Sequence, residues 1–99
     1  MSEPVYVLGL GQGFTDSWYQ LTKEEQDELV AKVNAIDERA GKKWVIACDS
    51  RWADLSTPAW FVHEFPSMEA YQQRVKEVDE IDWWRYWKVK TLLGTKIEI

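Results

Sequence analysis

The chain has one cysteine, one histidine and three prolines among its 99 residues. A lone cysteine excludes an internal disulfide and the multi-cysteine zinc patterns. Cationic side chains are also scarce relative to acidic ones. Twelve Lys and Arg stand against 17 Asp and Glu, a formal charge of −5, with a pI of about 4.8. That sign opposes general nucleic-acid binding, which rests on counterion release by Lys and Arg. It equally opposes docking on an anionic membrane surface. No apolar run approaches the roughly 20 residues of a membrane span. The opening M-S-E-P-V-Y-V has no basic stretch ahead of an apolar one, so no secretory signal is read there. Repeats, low-complexity tracts and linkers are lacking too, and a single domain over 1–99 is expected. The expectation is a soluble cytoplasmic protein with no nucleic-acid or membrane partner.

What is abundant is tryptophan: seven, at positions 18, 44, 52, 60, 83, 84 and 87. Each combines a large apolar ring with one N–H that needs a partner. One small core has trouble absorbing seven, so some are expected to line a pocket or an interface. The densest stretch, D-W-W-R-Y-W-K-V-K over 82–90, mixes aromatics with cations. Taken alone it resembles a single-strand stacking platform. The acidic balance and the lack of an RNA-recognition aromatic motif argue against that.

The β-branched and aromatic run Val5–Leu10 predicts a first strand, which G-Q-G at 11–13 is expected to break, with F-T-D-S-W-Y-Q-L as a loop. Thr22 and Glu25 form a capping box, Leu29, Val30, Val33 and Ile36 recur at helical spacing, and Gly41 is a stop. A helix over 23–40 follows. K-W-V-I-A-C-D at 43–49 and A-W-F-V-H-E-F at 59–65 predict two further strands. Ser67 is the expected N-cap of a second helix carrying Met68, Tyr71, Val75 and Val78 and fading near Asp79. A last strand lies within Tyr86–Ile97. The order β-α-β-β-α-β is the ferredoxin-like arrangement, an α+β fold with a four-stranded antiparallel sheet and both helices on one face.

Helices on one face should leave strands that alternate apolar and polar. These strands are apolar on both faces. Val5 and Val7 oppose Tyr6, Leu8 and Leu10; Phe61 and Phe65 oppose Trp60 and Val62; and regular alternation sets Trp44, Ile46 and Cys48 against Val45 and Ala47. A second copy packed sheet to sheet is the expected cover, giving a homodimer.

The segment W-F-V-H-E-F-P-S-M-E-A-Y at 60–71 resembles the third strand and second helix of the dimeric α+β barrel superfamily. Y-W-K-V-K-T-L-L-G is similar to that group's last strand, and the likeness covers most of the chain. The group includes antibiotic-biosynthesis and haem-degrading monooxygenases, muconolactone isomerases, polyketide cyclases, stress-responsive barrel proteins and darcynin-like proteins. The resemblance implies the dimeric barrel architecture. The haem-degrading members carry an Asn, Trp and His set. Here Trp60 and His63 are present, but no Asn lies on the first strand and Asn34 is the only one. The second helix also lacks the histidine that some of the cyclases use.

His63 is the only side chain whose ordinary pKa lies near neutrality. Among Phe61 and Phe65 it reads either as a general base or haem ligand, or as a hydrogen-bonded core histidine. Glu64 points to the other face and cannot pair with it. Asp49, at a strand end, reads as a second base with a raised pKa, or as a turn residue. Tyr6 reads as a substrate-orienting hydroxyl or as packing, and Trp60, Phe61 and Trp87 as walls of a substrate pocket between sheet and helices. Cys48 reads as an inert small hydrophobe. G-L-G-Q-G at 9–13 is not a dinucleotide fingerprint, because no helix opens directly after it. Its glycines are expected to permit a bulge and a turn. The leading expectation is a cofactor-independent enzyme, of monooxygenase, isomerase or cyclase type, acting on a small apolar or aromatic molecule without a metal. The alternative is a ligand-binding or structural homodimer with no catalysis.

Overall fold

The structure is a computed structural model that describes residues 3–99. Within it β1 (Val5–Phe14), α1 (Asp16–Tyr19), α2 (Lys23–Arg39), β2 (Lys43–Asp49), β3 (Ala59–Phe65), α3 (Met68–Glu80) and β4 (Trp87–Gly94) follow in order, with a 3-10 turn at Trp83–Arg85 before β4. The strands pair antiparallel in the order β2-β3-β1-β4. This is the ferredoxin-like α+β fold.

Local sequence explains the helix ends. The Glu25 amide donates to Thr22 Oγ1 at 3.1 Å and the Thr22 amide to Glu25 Oε1 at 2.9 Å, the reciprocal capping box. At the other end Gly41 takes a left-handed φ of 77°. The Gly41 amide bonds the Glu38 carbonyl and the Lys42 amide bonds the Asp37 carbonyl, at 3.1 and 3.0 Å. This Schellman turn folds Lys42 back over the last turn of α2. Ser67 caps α3 through the Ala70 amide.

On β1, Val5, Val7, Gly9 and Gly11 are buried beneath the helices, while Tyr6, Leu8 and Leu10 face away. Val33 and Ile36 of α2, Val78 of α3, Trp18 and Trp83 form the core above them. Trp18, Trp83, Tyr86, Trp87 and Phe14 lie ring to ring at one end; the Phe14–Trp18 pair is stacked at 4.3 Å.

Two expectations about the strands are corrected. G-Q-G does not end β1, which runs to Phe14 through a bulge between Gly11 and Gly13. Gly13, at φ 109°, accommodates that irregularity, whereas Gly9 serves close packing. A Cβ at Gly9 would lie 2.0 Å from the Phe61 ring, so the missing side chain is what lets this ring lie on the strand. A second bulge falls between Trp44 and Ile46 of β2. It puts Trp44 beside His63 on the helix side and leaves Ile46 and Cys48 beside Val62 and Trp60 on the other, so the expected common face of 44, 46 and 48 is not formed.

The far face of the sheet carries Tyr6, Leu8, Leu10, Ile46, Cys48, Trp60, Val62 and Leu92, and no helix among the described residues is layered over them. The Cα extents are 45 × 33 × 16 Å, a slab. Its accessible surface is 6999 Å². A compact monomer of 11.7 kDa exposes about 5,900 Å².

Candidate functional site

Between the helix-facing side of the sheet and α2 and α3 lies a cavity of about 170 Å³. Aromatic rings make much of its wall: Trp44, Phe61, Trp83, Trp84 and Trp87. Four ionisable groups also reach it, His63, Asp37, Lys42 and Arg74, together with Asn34.

Three different elements supply the charges. Asp37 sits on the buried stripe of α2, one turn after Val33. Lys42 is returned to it by the turn at Gly41, and its Nζ donates to Asp37 Oδ2 at 2.9 Å. Arg74, on α3 between Tyr71 and Val78, donates through Nε to Asp37 Oδ1 at 2.7 Å. Burial opposes ionisation of Asp37, but the bonds from Arg74 and Lys42 outweigh it and hold the carboxyl below the usual range. Two cations thus share one carboxylate, leaving a net positive charge in the wall.

His63 is 5% exposed. Phe61 stacks on its ring at 4.6 Å and Trp44 meets it edge-on at 4.2 Å. Its Nε2 is the one buried side-chain nitrogen or oxygen among the described residues without a hydrogen-bond partner. Such an atom carries a desolvation cost that a ligand hydrogen bond would remove. Burial first, and then the Lys42 and Arg74 charges, push its pKa down to about 4, against a smaller opposing pull from Asp37. The imidazole is therefore neutral at pH 7, able to accept a proton or donate an N–H.

The residues expected for the site divide into three places. His63, Phe61 and Trp87 meet in this cavity. Asp49 and Trp60 line a separate, more open groove at the Asp49–Ala59 end of the sheet, which Phe61 and Trp87 also border. Asp49 is not a raised carboxylate there. Bonds from the Arg51 side chain and amide hold it down at about 2, which corrects the expectation of a carboxyl poised as a base. Tyr6 lies on the far face of the sheet, outside both spaces, where Glu64 across from it on β3 pushes the phenol's pKa up. The groups that actually surround His63 were missed. Their signal was present: Asp37 and Arg74 each interrupt an apolar helical stripe, the position where a charge must find a buried partner.

The site as built does not fit haem. The only histidine is buried and enclosed by Phe61 and Trp44, so its ring is not presented as an axial ligand. Among the described residues no group of three or more His, Cys, Asp or Glu could hold a metal ion, and no helix is long and apolar enough to cross a membrane.

Fold and cavity together define an α+β protein of ferredoxin-like topology with an aromatic, positively charged recess under its helices. Solved structures share this fold. A mutant chlorite dismutase from Candidatus Nitrospira defluvii, in complex with cyanide, matches with a TM-score of 0.71 at 15% identity, over 99% of this chain and 41% of that one. The chain therefore spans well under half of that protein. A hypothetical Arabidopsis thaliana protein solved in solution matches with a TM-score of 0.58 at 17% identity, over 98% and 91% of the two chains. Hydroxynitrile lyase from Passiflora edulis matches with a TM-score of 0.57 at 14% identity, over 100% and 98%. At such identities the likeness is one of fold. No protein-family model matches the chain, and no curated protein matches it.

Proposed function

We propose that this protein is a homodimer that binds one small aromatic or apolar molecule in the helix-side cavity and moves a proton on it through His63, without a cofactor. The observation that carries this reading is the buried, unpartnered Nε2 of His63, set among aromatic rings in a cavity with other charged groups. Neutral imidazole beside a substrate C–H or O–H is a general base. The Lys42 and Arg74 charges then favour the oxyanion that proton loss creates. Proton abstraction, isomerisation and ring closure all begin with this step, and the imidazolium it creates returns the proton. Two of the structures sharing the fold are named as enzymes, a dismutase and a lyase, and their differing names give no warrant for choosing one reaction here.

The dimer is supported by surface area. The chain exposes roughly 1,100 Å² more than a compact monomer of its mass. Burying about 800 Å² per partner makes a standard interface, and the uncovered apolar face supplies it.

The test uses carbon acids of one-ring size, such as aryl methyl ketones, incubated with the protein in deuterated water and followed by NMR. Faster exchange of the acidic protons with wild type, lost in His63→Gln that still binds the ketone, is the expected result. Equal exchange with both proteins would leave a binding protein without catalysis. That second reading is favoured by the low proton affinity of His63, far from the near-neutral value that suits a base at pH 7.

A further inference from the structure

We propose that the cavity selects a monocarboxylate borne on a single planar ring, the carboxylate lying at Arg74, Lys42 and His63 and the ring against Phe61 and the tryptophans. The inference rests on the reading that the cavity binds a small molecule, and adds which kind.

Charge comes first. The Arg74, Lys42 and Asp37 side chains are 12%, 10% and 7% exposed, so two cations and one anion are withdrawn together from water. One positive charge is left over in a poorly solvated wall. Such a charge is costly alone, and one negative charge from a ligand balances it. A dianion would overshoot, and a cation would add to the excess.

Geometry comes second. The bond from Arg74 to Asp37 uses Nε alone. The two terminal nitrogens of the guanidinium have no acceptor among the described residues, and these form the fork that matches a carboxylate. Lys42 likewise spends one of three donors on Asp37. His63 presents its buried, unpartnered Nε2 to the same recess; in the tautomer that carries the proton there it donates an N–H to the carboxylate, so a ligand of this kind is bound and not deprotonated by it. Donors from the loop after α2, from α3 and from β3 thus line one recess, a set suited to an anionic oxygen pair.

Size comes third. A closed cavity of about 150 Å³ holds benzene. The recess here, about 170 Å³ and open on one side, matches one ring with a small substituent. Its flat walls, Phe61 and Trp87 among them, favour a planar ring over a puckered one.

Benzoate and its neutral isostere benzamide discriminate the proposal. Each is titrated into the full chain at low salt, with fluorescence of the cavity tryptophans as the signal. Benzoate is expected to bind at least about tenfold more tightly. It should also shift the NMR signals of the single histidine. Arg74→Lys keeps the charge and a partner for Asp37 but removes the fork. It should weaken benzoate severalfold and leave benzamide unchanged. Should that variant unfold by circular dichroism, His63→Gln replaces it, with the same loss expected for benzoate alone. Benzamide binding as well as benzoate, or benzoate binding unaffected by the folded variant, overturns the carboxylate inference and leaves the small-molecule reading standing. Failure of both ligands to bind at millimolar concentration overturns both.

Discussion

Lowering the pH should unfold this protein by way of one residue. The fold holds His63 neutral, with a pKa of about 4 against an ordinary 6.5. The unfolded chain therefore binds the proton more tightly than the folded one. Stability that is fully present above pH 6.5 is lost as the pH falls toward 4. The loss integrates to about 2 kcal/mol by pH 5 and about 3 kcal/mol by pH 4, at 1.36 kcal/mol per unit of pKa difference. That is a large share of the stability of a small domain. Asp37 does not confuse the window. Its pKa is held below the ordinary 3.8, so its own contribution is lost at still lower pH. Urea unfolding at fixed protein concentration, repeated from about pH 7 to about pH 4.5, measures the effect. The control is His63→Phe, which keeps a ring against Phe61 and Trp44 and removes the titration. Exposed carboxylates titrate alike in both proteins, so the difference between the two curves isolates His63. Because the chain has one histidine, its imidazole signals also report the folded-state pKa directly. A measured value of about 6 or more, or parallel pH curves for the two proteins, would refute the reasoning.

Two further results follow from packing. Gly9→Ala places a methyl 2.0 Å from the Phe61 ring, which must leave its stack on His63; the expected loss is about 1–3 kcal/mol in chemical denaturation, partly restored by adding Phe61→Leu, and a single variant as stable as wild type would show the ring free to move. Leu8→Lys sets a charge in the middle of the uncovered sheet face, beside Val62 and Leu92; sedimentation should show wild type as a dimer and the variant as a monomer, and a wild-type monomer at micromolar concentration sinks the homodimer.

Much of the architecture was legible because its signals are local. The Thr22–Glu25 box and the Ser67 cap mark the helix starts that the structure shows. The alternation of β1 and β3 put His63 on the same face as Phe61 and Phe65, as observed. The β2 bulge was not legible. K-W-V-I-A-C-D is apolar enough on both sides to satisfy either register, and only pairing with β3 decides which side Trp44 takes. The glycines at 9–13 read as permitting a bulge and a turn, and the bulge falls between Gly11 and Gly13, but the packing role of Gly9 was not legible because a ring packed on a strand leaves no mark beside it in the chain. Asp49 attracted notice by standing at a strand end, and Arg51, two residues on, neutralised it as a base. The site missed its charged half because residues 37, 42 and 74 come from three elements and their pairing is tertiary.

The charged half also explains why His63 is as it is. A buried histidine usually finds a hydrogen-bond partner. Here Asp37, the carboxylate that shares the recess with it, is already committed to Lys42 and Arg74, and the three groups together carry one net positive charge. Burial first, and then the Lys42 and Arg74 charges, keep the imidazole neutral. The triad in turn depends on the left-handed turn at Gly41, which returns Lys42 to Asp37. Helix termination, ion pairing and the state of His63 form one mechanical chain. An arrangement built only for stability would do better with apolar side chains at 37 and 74, since replacing a buried charge cluster by packed hydrophobes is often neutral or stabilising. The proposed ligand site gives the cluster a reason that stability does not: its free donors and the unpartnered imidazole are groups a bound molecule would satisfy.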